Sequence, residues 1–162
     1  MAARGRNQRG AAAVELALVC IPLMLIALGC VEFARAMLTY EALLKSARDG
    51  VRYLSFFDPA VAAEYPTGIA SDRVVFGLNS PPAGATPRVE GLTVSMVEIC
   101  DRVSATACPG EQFANVPTGQ GTINLVRVTI RGYRYTPRFP GAGFIGSIPF
   151  SPISATMRQV FP

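Results

Sequence analysis

Residues Ala11 to Val31 form a continuous run of 21 apolar and small residues in which Glu15 is the only charged side chain. As an α-helix, the run is about 31 Å long, which matches the hydrocarbon core of a bilayer. An ionised carboxylate in that core costs about 2.5–3.5 kcal/mol on insertion scales. The run therefore predicts a membrane-spanning helix in which Glu15 meets a partner when such helices pack together.

The charges around this run predict its orientation. Arg4, Arg6 and Arg9 precede it, and no basic residue follows before Arg35. Because positive charges flank the cytoplasmic side of a span, we expect the N-terminus in the cytoplasm and the chain after about residue 32 outside. Pro22 lies within the run, where a membrane helix tolerates it with a kink or a local opening.

Composition narrows the class of protein further. The net charge of +4 comes mostly from residues 1–10, since the rest carries 12 basic and 11 acidic residues. This near-neutral remainder does not indicate nucleic-acid binding. The chain has no histidine, the commonest general base and transition-metal ligand, and no recognisable catalytic motif. The carboxylates of Glu98, Asp101 and Glu111 are close in sequence, but their spacing forces no shared site. We therefore predict no enzyme activity, no cofactor, no metal and no small-molecule substrate.

An apolar stripe continues the helix beyond the span, and Asp58-Pro59 ends it because a residue before proline avoids helical angles. We predict one helix from about residue 11 to about residue 57, in which Gly50 is a mild weakness. The predicted division is a leader (1–10), a span (11–31), an extracytoplasmic helix (32–58) and a sheet domain (59–162). The stripe, at alternating steps of four and three, is Phe33, Met37, Tyr40, Leu44, Ala47, Val51 and Leu54.

The remaining chain is predicted to form mainly β-strands. A short helix is predicted from Ser71 to Asn79, with Ser71-Asp72 as its cap. Strands are predicted at Leu92–Cys100, Ile123–Thr136 and Ile153–Phe161. The fold class is therefore α+β, with a long N-terminal transmembrane helix packed on a small antiparallel sheet. In the middle strand, Val126, Val128 and Ile130 should face the core, and Arg127, Thr129 and Arg131 should face outward.

The four cysteines fall into two pairs. Cys20 and Cys30 lie in the apolar run and are interpreted as buried small hydrophobes. Cys100 and Cys108 lie in a polar region and predict a disulfide formed in an oxidising compartment. Free thiols are the open alternative, whereas zinc is disfavoured because CxxC spacing and histidine are both missing.

The segment Arg9–Ala36 (RGAAAVELALVCIPLMLIALGCVEFARA) resembles the N-terminus of TadE-like proteins, pilin-like components of bacterial tight-adherence (Flp/Tad) pilus systems. The features that carry the resemblance are the Arg-Gly pair ending at Gly10, Glu15 after valine, an internal proline and the EFAR run. Ala47–Tyr53 resembles a second recurrent stretch of the family, and Ser154–Arg158 resembles its last strand. Residues 59–91 depart freely from the family pattern.

This resemblance implies a processing and assembly route. A prepilin peptidase would cleave after Gly10, so that the mature chain begins at Ala11 and Glu15 becomes its fifth residue. The new Ala11 amine and the Glu15 carboxylate would neutralise each other in the assembly, giving modest stabilisation with strong specificity for register. The open alternative is that Glu15 lies at the membrane surface or is protonated.

The resemblance also implies partners and a location. The partners are the prepilin peptidase, the major Flp pilin, a sister minor pilin and the inner-membrane assembly platform. The implied location is the bacterial inner membrane, with a single span and a periplasmic C-terminal domain. Whether the protein also enters the extracellular pilus stays open.

Two other functions stay open beside this one. If the chain is a lipoprotein, the apolar run Ala11–Val31 is a signal sequence and Cys30 is acylated. In a binding or adhesion module anchored by the span or by lipid, the candidate surface-binding residues are Arg127, Arg131, Arg134 and Arg138, with interleaved tyrosines. An ordinary solvated strand face is the simpler interpretation of these arginines.

The segment Pro137–Pro152 is rich in proline and glycine but also carries apolar side chains, among them Phe144 and Ile145. It either folds back over the sheet or presents a docking surface for a partner.

Overall fold

The computed structural model describes residues 5–105, 108–139 and 146–160, and for residues 5–9 it describes the backbone alone. The two helices are α1 (Gly5–Leu54) and α2 (Thr67–Phe76), and a single 3-10 turn covers Val94–Met96. The strands are β1 (Val97–Cys100), β2 (Val116–Thr118), β3 (Gly121–Ile123), β4 (Leu125–Ile130), β5 (Arg134–Tyr135), β6 (Ile148–Pro149) and β7 (Ile153–Arg158).

Helix α1 is one continuous element of 50 residues, which confirms the predicted long N-terminal helix. It ends at Leu54, three residues before the expected position, and Pro22 lies within it. Its most apolar stretch of 18 residues has a mean hydropathy of 2.5, and none of that stretch is buried. By length and composition, α1 can cross a membrane once.

The second half of α1 packs on the rest of the chain, but its buried face differs from the predicted stripe. Ala47, Val51 and Leu54 are fully buried, as expected. The prediction was wrong for Phe33, Met37 and Tyr40, all of which are exposed. A repeat of four and three averages 3.5 residues, so on an α-helix it drifts by about 20° per heptad. The drift brings the end of the stripe onto the sheet and leaves its beginning facing away.

Gly50 is a requirement of the fold, not the weakness that the sequence suggests. It is buried on α1, and a Cβ atom there would overlap the Val74 Cγ2 methyl of α2 and lie 3.4 Å from the Ala70 carbonyl oxygen. The missing side chain lets the two helices approach closely.

Asp49 and Tyr53 hold the same helix contact from its edge. The Asp49 carboxylate is 3.3 Å from Arg73 Nη2 and 3.2 Å from Arg88 Nη1, and the Arg73 guanidinium lies 4.8 Å from the centre of the Tyr53 ring. The Ala47–Tyr53 stretch is therefore the part of α1 that binds α2.

Helix α2 begins and ends earlier than predicted. The chain enters it at Pro66, whose carbonyl accepts from the Ala70 amide at 3.0 Å. Ser71 lies inside the helix, where its hydroxyl donates to the Thr67 carbonyl at 3.0 Å, so it is not the cap. The helix stops at Gly77, whose φ of 76° favours glycine and whose amide donates to the Arg73 carbonyl.

Strand β4 is the centre of a three-stranded antiparallel sheet with the order β1–β4–β7. Val128 of β4 is opposite both Ile99 and Ala155. Together with α1, this sheet confirms the predicted α+β class. The expected inward residues of β4, Val126, Val128 and Ile130, are buried and join the core formed with α1 and α2.

The strand bounds needed correction. The first predicted strand starts only at Val97, after the 3-10 turn. The second breaks after Ile130, and Gly132, with a φ of 78°, turns the chain. Residues Arg134–Tyr135 then pair with β6 instead of continuing the main sheet. The last strand ends at Arg158, and its expected final residue, Phe161, lies outside the described residues.

We predict that Gly50→Ala lowers the free energy of unfolding by about 1–2 kcal/mol, because crowding at Val74 outweighs the gain in helix propensity. Urea unfolding of the detergent-solubilised full chain, followed by near-UV circular dichroism, measures this change. Gly68→Ala is the matched control, since an added Cβ on this α2 glycine meets nothing within 4 Å. The control should gain up to about 1 kcal/mol. Equal effects at the two glycines would contradict the close-approach argument.

Candidate functional site

The residues predicted to carry processing and assembly lie on the uncovered half of α1. Gly10, Ala11 and Glu15 are exposed, and within the described residues Glu15 makes no hydrogen bond or ion pair. A Cβ added at Gly10 would meet nothing within 4 Å, so packing inside the chain does not explain this glycine. Glu15 is one helical turn from Ala11, which puts their Cβ atoms about 5–6 Å apart.

The two cysteines of the same half of α1 are not covered by the rest of the described chain. Cys30 is exposed and Cys20 is partly exposed, and both are free thiols. None of the described elements packs on this part of the helix, so burial of these thiols in a membrane or between helices stays a prediction.

A second polar site, which sequence analysis did not identify, lies where α1 leaves the predicted span. The Glu32 carboxylate is buried and accepts hydrogen bonds from the Tyr135 hydroxyl and from the Arg138 amide, the latter at 3.1 Å. Arg35 Nη1 lies 3.9 Å from the other Glu32 oxygen. We call these four residues the Glu32 clamp. It joins α1 to β5 through Tyr135 and to the chain after β5 through Arg138.

The only sequence signal for the clamp was an acid placed directly after the apolar run. Nothing in the sequence indicated that Tyr135, 103 residues further on, would supply the donor.

Phe150 supports the clamp from the side. Its ring stacks on Tyr135 at a centroid distance of 5.9 Å and also contacts Tyr40 and Tyr133 at 6.0 and 5.7 Å. Its amide donates to the Tyr133 carbonyl at 3.0 Å. Of the segment Pro137–Pro152, residues 137–139 and 146–152 lie within the described part of the chain, and Phe150 packs on the domain there. Phe144 and Ile145, on which the docking hypothesis depends, lie outside the described residues.

The surroundings of Tyr135 fix its protonation state. Burial, together with the hydrogen bond to the Glu32 carboxylate and the negative charge of that carboxylate, raises the pKa of Tyr135 to about 12. Burial also raises the pKa of Tyr133, whose hydroxyl donates to the Glu90 carbonyl at 2.9 Å. At neutral pH, both phenols are therefore hydrogen-bond donors.

Three of the four candidate surface-binding arginines form ion pairs with carboxylates of the same chain. Arg127 pairs with Glu111 at 2.5 Å, Arg131 pairs with Glu98 at 2.7 Å, and Arg138 pairs with Glu90. Arg134 instead donates to the Ser147 hydroxyl at 2.7 Å and to the Ser147 carbonyl at 3.2 Å. These ion pairs within the chain neutralise most of the positive charge that was expected on this strand. Binding of an anionic surface or polymer by these arginines stays a prediction.

The three carboxylates that are close in sequence, Glu98, Asp101 and Glu111, each have a separate partner in the structure. Glu98 and Glu111 hold the arginines named above. Asp101 is buried, and one of its carboxylate oxygens accepts from the Val103 and Ser104 amides at 2.8 Å each.

The Cys100–Cys108 disulfide is present, as predicted, with a Cα–Cα distance of 6.3 Å. Both cysteines are buried with Phe113 in a small second core at the end of β1. Because the Arg127 guanidinium lies 5.4 Å from the centre of the Phe113 ring, the bridged loop is tied to β4.

An exposed apolar helix that continues into a domain with a small antiparallel sheet is consistent with a pilin-like α+β fold. The family comparison is more specific: the model described as TadE-like protein matches residues 10–52. This segment of the chain is TadE-like, which confirms the resemblance seen in the sequence. No curated protein and no solved structure matches the chain.

The matched segment is α1 from Gly10 almost to its end. The match covers 43 of the 162 residues, and the helix in which it lies can cross a membrane by its length and composition. The likeness of Ser154–Arg158 to the family's last strand lies outside the match and rests on the sequence alone.

We predict that Tyr135→Phe lowers the thermal unfolding midpoint by roughly 3–8 °C, because the buried Glu32 carboxylate loses a hydrogen-bond donor. Differential scanning calorimetry of the full chain in detergent measures the shift. Tyr40→Phe is the control, since Tyr40 contacts the same Phe150 ring but its hydroxyl makes no hydrogen bond among the described residues. An equal shift in both variants would show that ring packing, not the hydrogen bond, matters.

We also predict a loss of stability at alkaline pH. The pKa of Tyr135 rises from about 10 in the unfolded chain to about 12 in the fold. Its contribution is therefore fully present below about pH 10 and is lost as the pH rises from about 10 to about 12. Unfolding midpoints measured across this range should fall less steeply in Tyr135→Phe than in the parent. Some slope should remain, since the pKa values of Tyr65 and Tyr133 are also raised. Identical slopes in both proteins would contradict the assignment.

Proposed function

We propose that this chain is a pilin-like subunit of tight-adherence pilus biogenesis that is cleaved after Gly10 and assembled through α1. The observation that carries the proposal is the unequal burial of α1. Its second half packs on the sheet, whereas no part of its most apolar stretch is buried by the described residues. Such a surface needs lipid before assembly and neighbouring helices after it.

Cleavage gives Glu15 a partner that the uncleaved chain lacks. The Ala11 nitrogen is then a cationic amine, and Glu15 is the fifth residue of the mature chain. Between packed helices the two opposite charges attract strongly, although their desolvation offsets much of that attraction. The pair therefore selects one register among helices that would otherwise slide on apolar surfaces.

The continuity of α1 makes this register important. The same helix passes from the predicted span into the core and is fastened there by Gly50, Asp49 and the Glu32 clamp. A slip of one residue displaces the attached domain by about 1.5 Å and turns it by about 100° around the helix axis. One carboxylate in the apolar half thus controls how the domains face their neighbours.

The partners follow from this role. The prepilin peptidase acts on the Gly10–Ala11 bond, and the inner-membrane assembly platform receives the product. The major Flp pilin and a sister minor pilin supply the neighbouring helices. The charge pattern around the span supports a cytoplasmic N-terminus and a periplasmic domain.

We predict that Glu15→Gln leaves cleavage intact but lowers recovery of the chain in assembled pilus complexes at least about tenfold, because the Ala11 amine loses its counter-charge. The readouts are intact mass, which reports the first residue, and quantitative immunoblotting of purified complexes. Glu41→Gln, on the exposed extracytoplasmic part of α1, is the control and should assemble normally.

Gly10→Leu separates processing from folding. Gly10 is exposed and a Cβ added there meets nothing within 4 Å, so the chain should fold, insert and keep residues 1–10. Normal assembly of Glu15→Gln, or of the uncleaved Gly10→Leu chain, would contradict the proposed mechanism.

A further inference from the structure

A groove of about 620 Å³ lies between α1 and β5, on the side of the domain where the helix leaves the apolar run. Its walls include the α1 residues Arg35 and Leu38, Glu90 from the loop before β1, and Arg134, Thr136 and Arg138 from β5 and the chain after it. We call it the juxtamembrane groove. Its volume is in the range that holds a small ligand or a headgroup.

The groove lies at the level of lipid headgroups if the span ends at Val31. Arg35 is then about 6 Å beyond the end of the span along the helix axis, and Leu38 is about 10 Å beyond it. The headgroup layer is roughly 5–8 Å deep on each side of the hydrocarbon core. Leu38 is 71% exposed, so an apolar side chain accompanies the cations of the groove.

The lining has an excess of positive charge. Arg35, Arg134 and Arg138 contribute three guanidinium groups, and Glu90 is the carboxylate among the lining residues. Glu32 behind the groove already accepts from Tyr135 and Arg138. The groups that Arg134 contacts are both neutral oxygens of Ser147. Arg134 is therefore the arginine whose charge is least compensated.

We propose that the juxtamembrane groove binds the phosphate headgroup of an anionic phospholipid from the membrane that α1 spans. Guanidinium groups bind phosphate oxygens through paired, charge-assisted hydrogen bonds, and the Thr136 hydroxyl can add another. The lipid fits better than an acidic polymer because the anchor of the same chain holds the groove at the headgroup layer, where the local lipid concentration is high.

This binding follows from the span and the groove and does not depend on a role in pili. It holds the domain at one height and orientation on the membrane before any assembly. The lipid is recognised by its phosphate and net negative charge, so phosphatidylglycerol is a suitable probe.

The test uses the full chain in nanodiscs that contain phosphatidylcholine and phosphatidylglycerol in equal amounts. Native mass spectrometry after release into detergent counts the lipids that stay bound. The parent should retain phosphatidylglycerol preferentially, and Arg134→Gln should reduce that retention about fivefold, the loss expected for one arginine near an anionic surface. Arg131→Gln is the matched control, because it removes the same charge from an arginine that pairs with Glu98 outside the groove.

Further arms identify the source of the phosphate. Glycerol 3-phosphate, inorganic phosphate and a sulfated oligosaccharide are added to the detergent-solubilised parent and to both variants. Binding of a free phosphate compound or of the oligosaccharide that depends on Arg134, without lipid preference in nanodiscs, would overturn the proposal. Equal retention of the two lipids by the parent would also overturn it, even if Arg134→Gln failed to fold.

Discussion

The structure depends on one constraint: a single helix of 50 residues carries both the apolar run and the main wall of the domain core. The two halves cannot move separately without breaking the helix. Gly50 brings α2 against α1, and Asp49 fixes the contact through two arginines. Any force or register imposed on the apolar half is therefore transmitted to the sheet.

Two carboxylates on this helix differ in whether the described chain supplies them with a partner. Glu32 is buried and receives donors from Tyr135 and Arg138, so the fold itself satisfies it. Glu15 lies among apolar side chains and has no partner among the described residues. Because a charge in hydrocarbon is stable only when it is paired and hydrogen-bonded, Glu15 in a membrane span would have to be protonated or take a partner from cleavage, another chain or the membrane surface. This contrast supports an assembly role.

Features with a local pattern could be predicted from the sequence. These were α1, the inward face of β4 and the Cys100–Cys108 bridge, which depend on helix length, alternation and composition. Features set by distant contacts could not. Gly50 gains its role from Val74, and Glu32 gains its donor from a residue 103 positions away. The turn at Gly132 takes Tyr135 out of the main sheet and pairs it with β6. The sequence did not indicate this turn, because β-forming residues continue on both sides of Gly132.

The central claim is that the Glu15 carboxylate pairs with a terminal amine at Ala11 once helices pack. Solid-state NMR on assembled complexes, with ¹⁵N at the first mature residue and ¹³C at the glutamate side chains, measures that separation directly. The account predicts a mature chain that begins at Ala11, with its amine within about 4 Å of a Glu15 carboxylate. Assembled chains in which this nitrogen and the carboxylate are more than about 7 Å apart, or in which residues 1–10 are retained, would contradict it.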